Sequence, residues 1–269
     1  MEEASVSNRL RAYADAVYTR LLVTPRYQRR FHAFCTGTEK SGTHSVAALT
    51  ARVYRSDHEP DYPWLIPRLT ETPFDRPAQW EAYLRRRDRL LWLEMESNWL
   101  HIFTIGQLVR VFPGARFILT IRDCRSWLDS LANHLLANDV GPIWRQAQRT
   151  YYQVNQFTHQ RGEEAFRDAG LYPIRAYLSA WGRHNRRVVE VVPPERLLVV
   201  RTSEIESSSG RIGAFLCVDP ESIDGERGHQ YVNTKKYHML ERVDRRLLDE
   251  SFHECCGDVM ARWFPEIPI

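Results

Sequence analysis

The chain has 269 residues, 43% of them apolar, and carries 37 Lys and Arg against 34 Asp and Glu for a net charge of +3. Enough apolar residues are present to build a core, which excludes a disordered or collagen-like chain, and the small net charge excludes a general nucleic-acid binder. No stretch approaches the roughly 18 apolar residues of a membrane span, and the N-terminal segment is acidic and then amphipathic, unlike a secretory signal. The cysteines, including the adjacent Cys255 and Cys256, show no C-x-x-C spacing, so neither a disulfide framework nor a zinc site is expected, and a reducing cytoplasm is the expected compartment. With no Ser/Gly/Pro-rich or single-sign linker, the chain reads as a single domain over residues 1–269.

Residues 8–22 place Leu10, Tyr13, Val17 and Leu21 at helical spacing. The apolar run Phe31–Cys35 predicts a strand, and Thr36-Gly37 a turn after it. A helix follows over 43–54 on the stripe Val46, Leu49 and Val53, then a short strand Tyr54–Asp57 that Glu59-Pro60 ends. One-sided apolar faces predict helices over 77–93 and 99–112, and Ala115–Ile121 is the strongest strand candidate. Its nearly continuous apolar character implies burial on both faces and hence a parallel sheet. Helices are expected at 125–137, 142–161, 174–192, 207–217 and 239–263, with a strand at 196–200. Strands alternating with helices predict an α/β three-layer sandwich around a central parallel sheet of about four to five strands, joined by right-handed crossovers.

After the first strand stands Thr36-Gly37-Thr38-Glu39-Lys40-Ser41-Gly42-Thr43-His44-Ser45, and a helix begins within it. The free N–H groups of a helix start favour an anion there. Gly37 and Gly42 allow close backbone approach, Lys40 adds a point charge, and Ser41, Thr43 and Ser45 add hydroxyl donors. A lone G-x-x-x-x-G also fits an ordinary capped turn. The nucleotide-triphosphate pattern G-x-x-x-x-G-K-[ST] is not met, because the lysine precedes the second glycine by two residues.

Lys40-Ser41-Gly42-Thr43 resembles the 5'-phosphosulfate loop of sulfotransferases that use 3'-phosphoadenosine 5'-phosphosulfate (PAPS). Phe117–Ser130 resembles the 3'-phosphate motif of the same family, with Arg122 at the strand end and Ser130 eight residues on. An arginine fork at the carboxyl end of a parallel strand suits a phosphate, although Arg122 could also pair with Asp123 or Asp129 at the helix start. The family usually has Pro where this chain has Cys124, a difference in turn stiffness rather than chemistry. The late loop Gly225–Lys236 matches more loosely. A chain with 34 Arg keeps Lys only at 40, 235 and 236, all in the two candidate phosphate loops. The resemblance implies a P-loop-like sulfotransferase fold, PAPS as co-substrate with 3',5'-adenosine bisphosphate (PAP) as product, and no metal. It assigns Lys40, Ser41, Gly42, Thr43, His44, Ser45, Arg122, Ser130, Arg201, Arg227, Lys235 and Lys236 to the nucleotide, with Lys40 also stabilising the leaving group.

The acceptor base is expected just past the second strand, at Glu59 or His58. Adjacent residues of an extended segment point to opposite sides, so one of the two is expected to face the donor. The resemblance favours Glu59, leaving His58 to orient it or bind substrate. The expected acceptor is a hydroxyl of a small molecule, glycolipid or carbohydrate, and the arginine bias suggests a GC-rich bacterium and secondary metabolism. Glu94 and Glu96 read as surface charge rather than acceptor-binding groups, Arg85-Arg86-Arg87 as a solvated helix face, and Tyr151-Tyr152 as core or substrate wall. Two other classes fit part of the pattern: a P-loop small-molecule kinase, and a sulfotransferase-like binding protein without turnover.

Overall fold

The computed structural model describes residues 27–72, 76–228 and 235–269, without the side chain of Arg227. The helix expected over 8–22 and the part of the late basic loop at 229–234 lie outside the described residues.

The strands are β1 (Ala33–Cys35), β2 (Ser56–His58), β3 (Met95–Ser97), β4 (Arg116–Ile121) and β5 (Leu197–Arg201). They form a sheet of order β2-β3-β1-β4-β5, and β1 pairs in parallel with β3 and β4, as β2 does with β3. Phe34 stands opposite Glu96 on β3 and Phe117 on β4. The sheet's residues split between two cores, as side chains alternating along a strand require. Ala33, Cys35, Ile118 and Val200 join one core with Val46, Leu49, Ile205 and Leu216. Phe34, Phe117 and Leu119 join the other with Leu84, Ile105, Leu108 and Val188. The fold is α/β with a five-stranded central parallel sheet and helices on both faces, and burial on both faces explains the continuous apolar character of β4.

The helices are α1 (Thr43–Thr50), α2 (Tyr62–Glu71), α3 (Pro77–Leu91), α4 (Ile105–Val111), α5 (Cys124–Ala137), α6 (Pro142–Tyr152), α7 (Glu164–Asp168), α8 (Ile174–Val191), α9 (Ser209–Leu216) and α10 (Arg245–Trp263). Helix α2 was not expected. Pro63 falls in the first turn, where a missing N–H costs nothing. The helix expected over 142–161 ends at Tyr152, where Gln153 turns left-handed at φ 51°. The helix expected over 99–112 opens as a 3-10 segment, Trp99–Thr104, started by the Asn98 side chain accepting from the Leu100 N–H at 3.0 Å.

The chain divides into two compact units. The first comprises the described residues of Met1–Gly37, Gly42–Thr120 and Val188–Gln230; the second comprises those of Thr38–Ser41, Ile121–Arg187 and Tyr231–Ile269. The sheet, apart from Ile121 at the end of β4, belongs to the first. The second is helical, with Trp127, Tyr152, Phe166, Tyr177, Trp181 and Phe252 buried. Among the described residues, no helix is long and apolar enough to cross a membrane.

Candidate functional site

In the second unit, residues 38–41 form a tight turn. The Ser41 N–H and hydroxyl both donate to the Thr38 carbonyl, at 3.2 and 2.7 Å. Lys40 adopts a left-handed backbone at φ 61°. The residue before it is held on all sides: the Glu39 carbonyl accepts from Trp127 Nε1 at 2.7 Å, and its carboxylate accepts from Gln148 at 3.0 Å and Tyr152 at 2.6 Å. Tyr151-Tyr152 is therefore core, with Tyr151 bonded to His184 Nδ1 at 2.9 Å and neither ring left to form a substrate wall.

Arg122 follows β4 directly, and its Nε donates to Ser126 Oγ at 2.9 Å. Asp123 caps α5 by accepting the Ser126 N–H at 2.9 Å. Ser130 lies two turns into α5 and is buried. Burial and then the positive charge of Arg122 push the Lys40 ammonium below its ordinary pKa, against the pull of Glu39. Burial likewise lowers Arg122, and burial with the Lys40 charge lowers His134. Positive charge is thus concentrated in a partly desolvated place, an arrangement that an anion relieves. Lys236 stands 3.4 Å from Asp129, and Lys235 lies 4.8 Å from the Tyr237 ring centre; both are exposed.

In the first unit, Gly42 starts α1 at φ 102° with no capping side chain and no acidic residue in the first turn. Thr43 and Ser45 are buried, and the Thr43 carbonyl accepts from Ser97 Oγ at 2.5 Å. Thr43 Oγ1 shares a hydrogen bond of 3.1 Å with His58 Nε2, and the His44 and His58 rings lie 4.9 Å apart. His58 ends β2. Glu59 is left-handed at φ 53°, so the alternation expected of an extended segment does not hold. Its Oε1 comes to 3.8 Å from His58 Nε2, on the same side. Arg201 ends β5, 3.9 Å from Glu204. The backbone of Arg227 lies in the 3-10 segment Gly225–Gly228. Among the described residues, no group of three or more His, Cys, Asp or Glu is placed to hold a metal ion.

A family model described as a sulfotransferase domain matches residues 32–216. The chain belongs to the sulfotransferase domain family. Among solved structures, a sulfotransferase from Alicyclobacillus acidocaldarius is similar over 86% of this chain and 95% of its own, at 15% identity and a TM-score of 0.50. A sulfotransferase domain from the curacin biosynthetic pathway is similar over 78% and 81%, at 11% identity and a TM-score of 0.35. A comparison with curated proteins gives no match. The first of these likenesses speaks for the fold of this sulfotransferase domain.

Three carboxylates and an arginine of this sulfotransferase domain differ from the sequence reading or were not singled out by it. Glu94 and Glu96 are buried rather than surface charges. Glu94 accepts the backbone N–H groups of Arg30 and Arg55 at 2.8 and 2.9 Å. Arg87 is not on a solvated face: it is buried and bridges Asp61 and Glu96, each at 2.6 Å. The available signal was the spacing Trp80, Leu84, Arg87, which puts Arg87 on the helix's buried stripe. Glu39, inside the motif itself, carried no such signal.

Proposed function

We propose that the chain transfers a sulfuryl group from PAPS to an acceptor hydroxyl. The donor supplies an activated sulfuryl group and a stabilised leaving group, PAP. Lys40, Ser41, Gly42, Thr43, His44 and Ser45 hold the 5'-phosphosulfate, whereas Arg122 and Ser130 read the 3'-phosphate. Arg201, Arg227, Lys235 and Lys236 complete the nucleotide contacts. Glu59 takes the acceptor's proton as its oxygen bonds to sulfur and the sulfur–phosphate oxygen bond breaks. His58, tied to Thr43 and beside Glu59, orients the carboxylate. Lys40 offsets the negative charge that builds on the departing oxygen.

The observation that supports this reading most is the partly buried Lys40, whose proton affinity burial and then the Arg122 charge depress. Two such cations are costly without a multiply charged anion, and a donor with phosphates at both 3' and 5' positions supplies one. An α1 that starts at Gly42 with no capping side chain and no acidic residue in its first turn fits a phosphosulfate in the same sense.

The test is calorimetry of PAPS and of adenosine 5'-phosphosulfate, which lacks the 3'-phosphate, against the wild type and Arg122→Ala. Charge-assisted hydrogen bonds contribute about 1.5–3 kcal/mol each, so the wild type should prefer PAPS by at least about tenfold. Arg122→Ala should erase most of that preference by weakening PAPS alone. Equal wild-type affinities would overturn the assignment. Release of PAP across a library of phenols, sugars and lipids then identifies the acceptor.

A further inference from the structure

The segment Glu59-Pro60-Asp61 leaves the sheet at Glu59 and starts α2 at Asp61, whose carbonyl accepts the Trp64 and Leu65 N–H groups at 2.8 and 3.0 Å. Glu59 donates the last ladder bond, N–H to the Ser97 carbonyl at 2.9 Å, and Pro60 has no N–H to continue it. Glu59 and Asp61 are both left-handed, at φ 53° and 49°, a conformation unfavourable for residues with a side chain. Something must hold this strained segment in place.

Arg87 does so from α3. Its Nε lies 3.1 and 3.0 Å from the two Asp61 carboxylate oxygens, and one terminal nitrogen donates to Asp61 Oδ1 at 2.6 Å and to the Pro60 carbonyl at 3.4 Å. The other terminal nitrogen donates to Glu96 Oε2 at 2.6 Å. Glu96 Oε1 bonds His101 Nε2 at 2.9 Å, and His101 Nδ1 bonds the Cys35 carbonyl at 3.1 Å. Both ring nitrogens of His101 therefore face acceptors. Arg87 thus stands between two carboxylates, with Arg87 and Glu96 each 6% exposed and His101 3%. Burial opposes the Glu96 charge, but Arg87 and His101 hold its carboxyl well below the usual range. The network runs from the carbonyl that ends β1 to the two residues following Glu59.

We propose that Arg87 is a positioning residue for Glu59: its fork on Asp61 and the Pro60 carbonyl, anchored through Glu96 to β3, fixes the carboxylate beside His58. This rests on the reading of Glu59 as the acceptor base. A guanidinium is required, since a lysine ammonium keeps the charge but cannot span Asp61, Glu96 and the Pro60 carbonyl together.

The test is a double-mutant cycle of Arg87→Lys and Glu59→Gln, read as kcat for PAP release with the best acceptor of the library and as PAP affinity by calorimetry. Arg87→Lys should lower kcat by about ten- to a hundredfold, the scale expected when a reacting group is misplaced, with PAP affinity unchanged. In the Glu59→Gln background it should cause no further loss, because the group it positions is gone. Equal fold losses in both backgrounds, or an unchanged kcat in the single variant, would overturn the proposal. Wild-type turnover in Glu59→Gln would instead overturn the base assignment, a distinct result. Should Arg87→Lys fail to fold, Asp61→Asn, which keeps the volume and one acceptor oxygen, is carried through the same cycle under the same criteria.

Discussion

Replacing Gly42 by alanine tests the backbone on which the phosphosulfate loop depends. Gly42 starts α1 at φ 102° and ψ 16°, and a Cβ there would lie 2.2 Å from Ile205 Cδ1 and 3.6 Å from Thr202 Cγ2. Ile205 is 2% exposed and packs in the core with Val46 and Leu49, so it cannot retreat without disturbing its neighbours. Two costs add. The left-handed backbone contributes about 1–2 kcal/mol and overpacking about 1–3 kcal/mol, so Gly42→Ala should destabilise by about 2–5 kcal/mol. Ile205→Val removes the clashing Cδ1 and by itself costs about 0.5–1.5 kcal/mol. In that background the alanine should cost the backbone share alone, about 1–2 kcal/mol. Urea unfolding of the four proteins gives the coupling from the midpoints, provided the slopes agree. PAP affinity should fall with Gly42→Ala, because the first-turn N–H groups of α1 shift. The reasoning is refuted if the alanine costs the same in both backgrounds, or under about 1 kcal/mol in the wild type.

Lys40→Ala should abolish turnover at saturating donor while PAP still binds, since the charge that Lys40 offsets develops in the transition state; near wild-type turnover would refute its role. The ammonium must stay protonated to act, and burial and Arg122 lower its pKa, so kcat should decline on the alkaline side below the ordinary lysine range. Arg122→Ala should move that limb to higher pH, and a limb that stays put would exclude the coupling. Glu59→Gln should lose orders of magnitude in kcat and His58→Asn less, with PAP affinity intact in both; the reverse order would give the base role to His58. Burial raises the Glu39 carboxyl pKa despite its Tyr152 and Gln148 donors, so its contribution to stability is full below the unfolded value and is lost as pH rises through the folded one. The wild type should therefore lose stability relative to Glu39→Gln as pH rises from about 4.3, which urea midpoints check; a pH-independent difference would refute it.

The sheet's middle was legible because burial on both faces leaves a nearly continuous apolar run, as in Phe117–Ile121. The loop after β1 was legible because glycine, lysine and hydroxyls together answer a local demand of helix starts and anions. β3 was not, since its central residue is Glu96, and what makes a carboxylate tolerable inside a sheet is Arg87 and His101, contributed by other elements. The adjacent His58 and Glu59 were expected to diverge because a strand's pleat was extended one residue too far. Nothing in the letters H-E-P-D says that the backbone turns left-handed at Glu59, and that turn decides which groups share a side.

A common physical reason links Glu39, which its motif did not single out, with the turn at Glu59. The segments 38–41 and 59–61 are short and polar, and they offer little to a hydrophobic core. Directional bonds fix their orientation: Trp127, Gln148 and Tyr152 on Glu39, and Arg87 on Pro60 and Asp61. Such bonds set orientation within tenths of an ångström, where an apolar contact would tolerate sliding. The charged residues that a composition-level reading sends to the surface are inside for this purpose. In each case the held segment adjoins a residue assigned to chemistry, Lys40 beside Glu39 and Glu59 beside Pro60. Substituting the holders by near-isosteres should therefore change turnover more than the unfolding midpoint, whereas substituting core residues such as Ile118 or Leu119 should do the opposite.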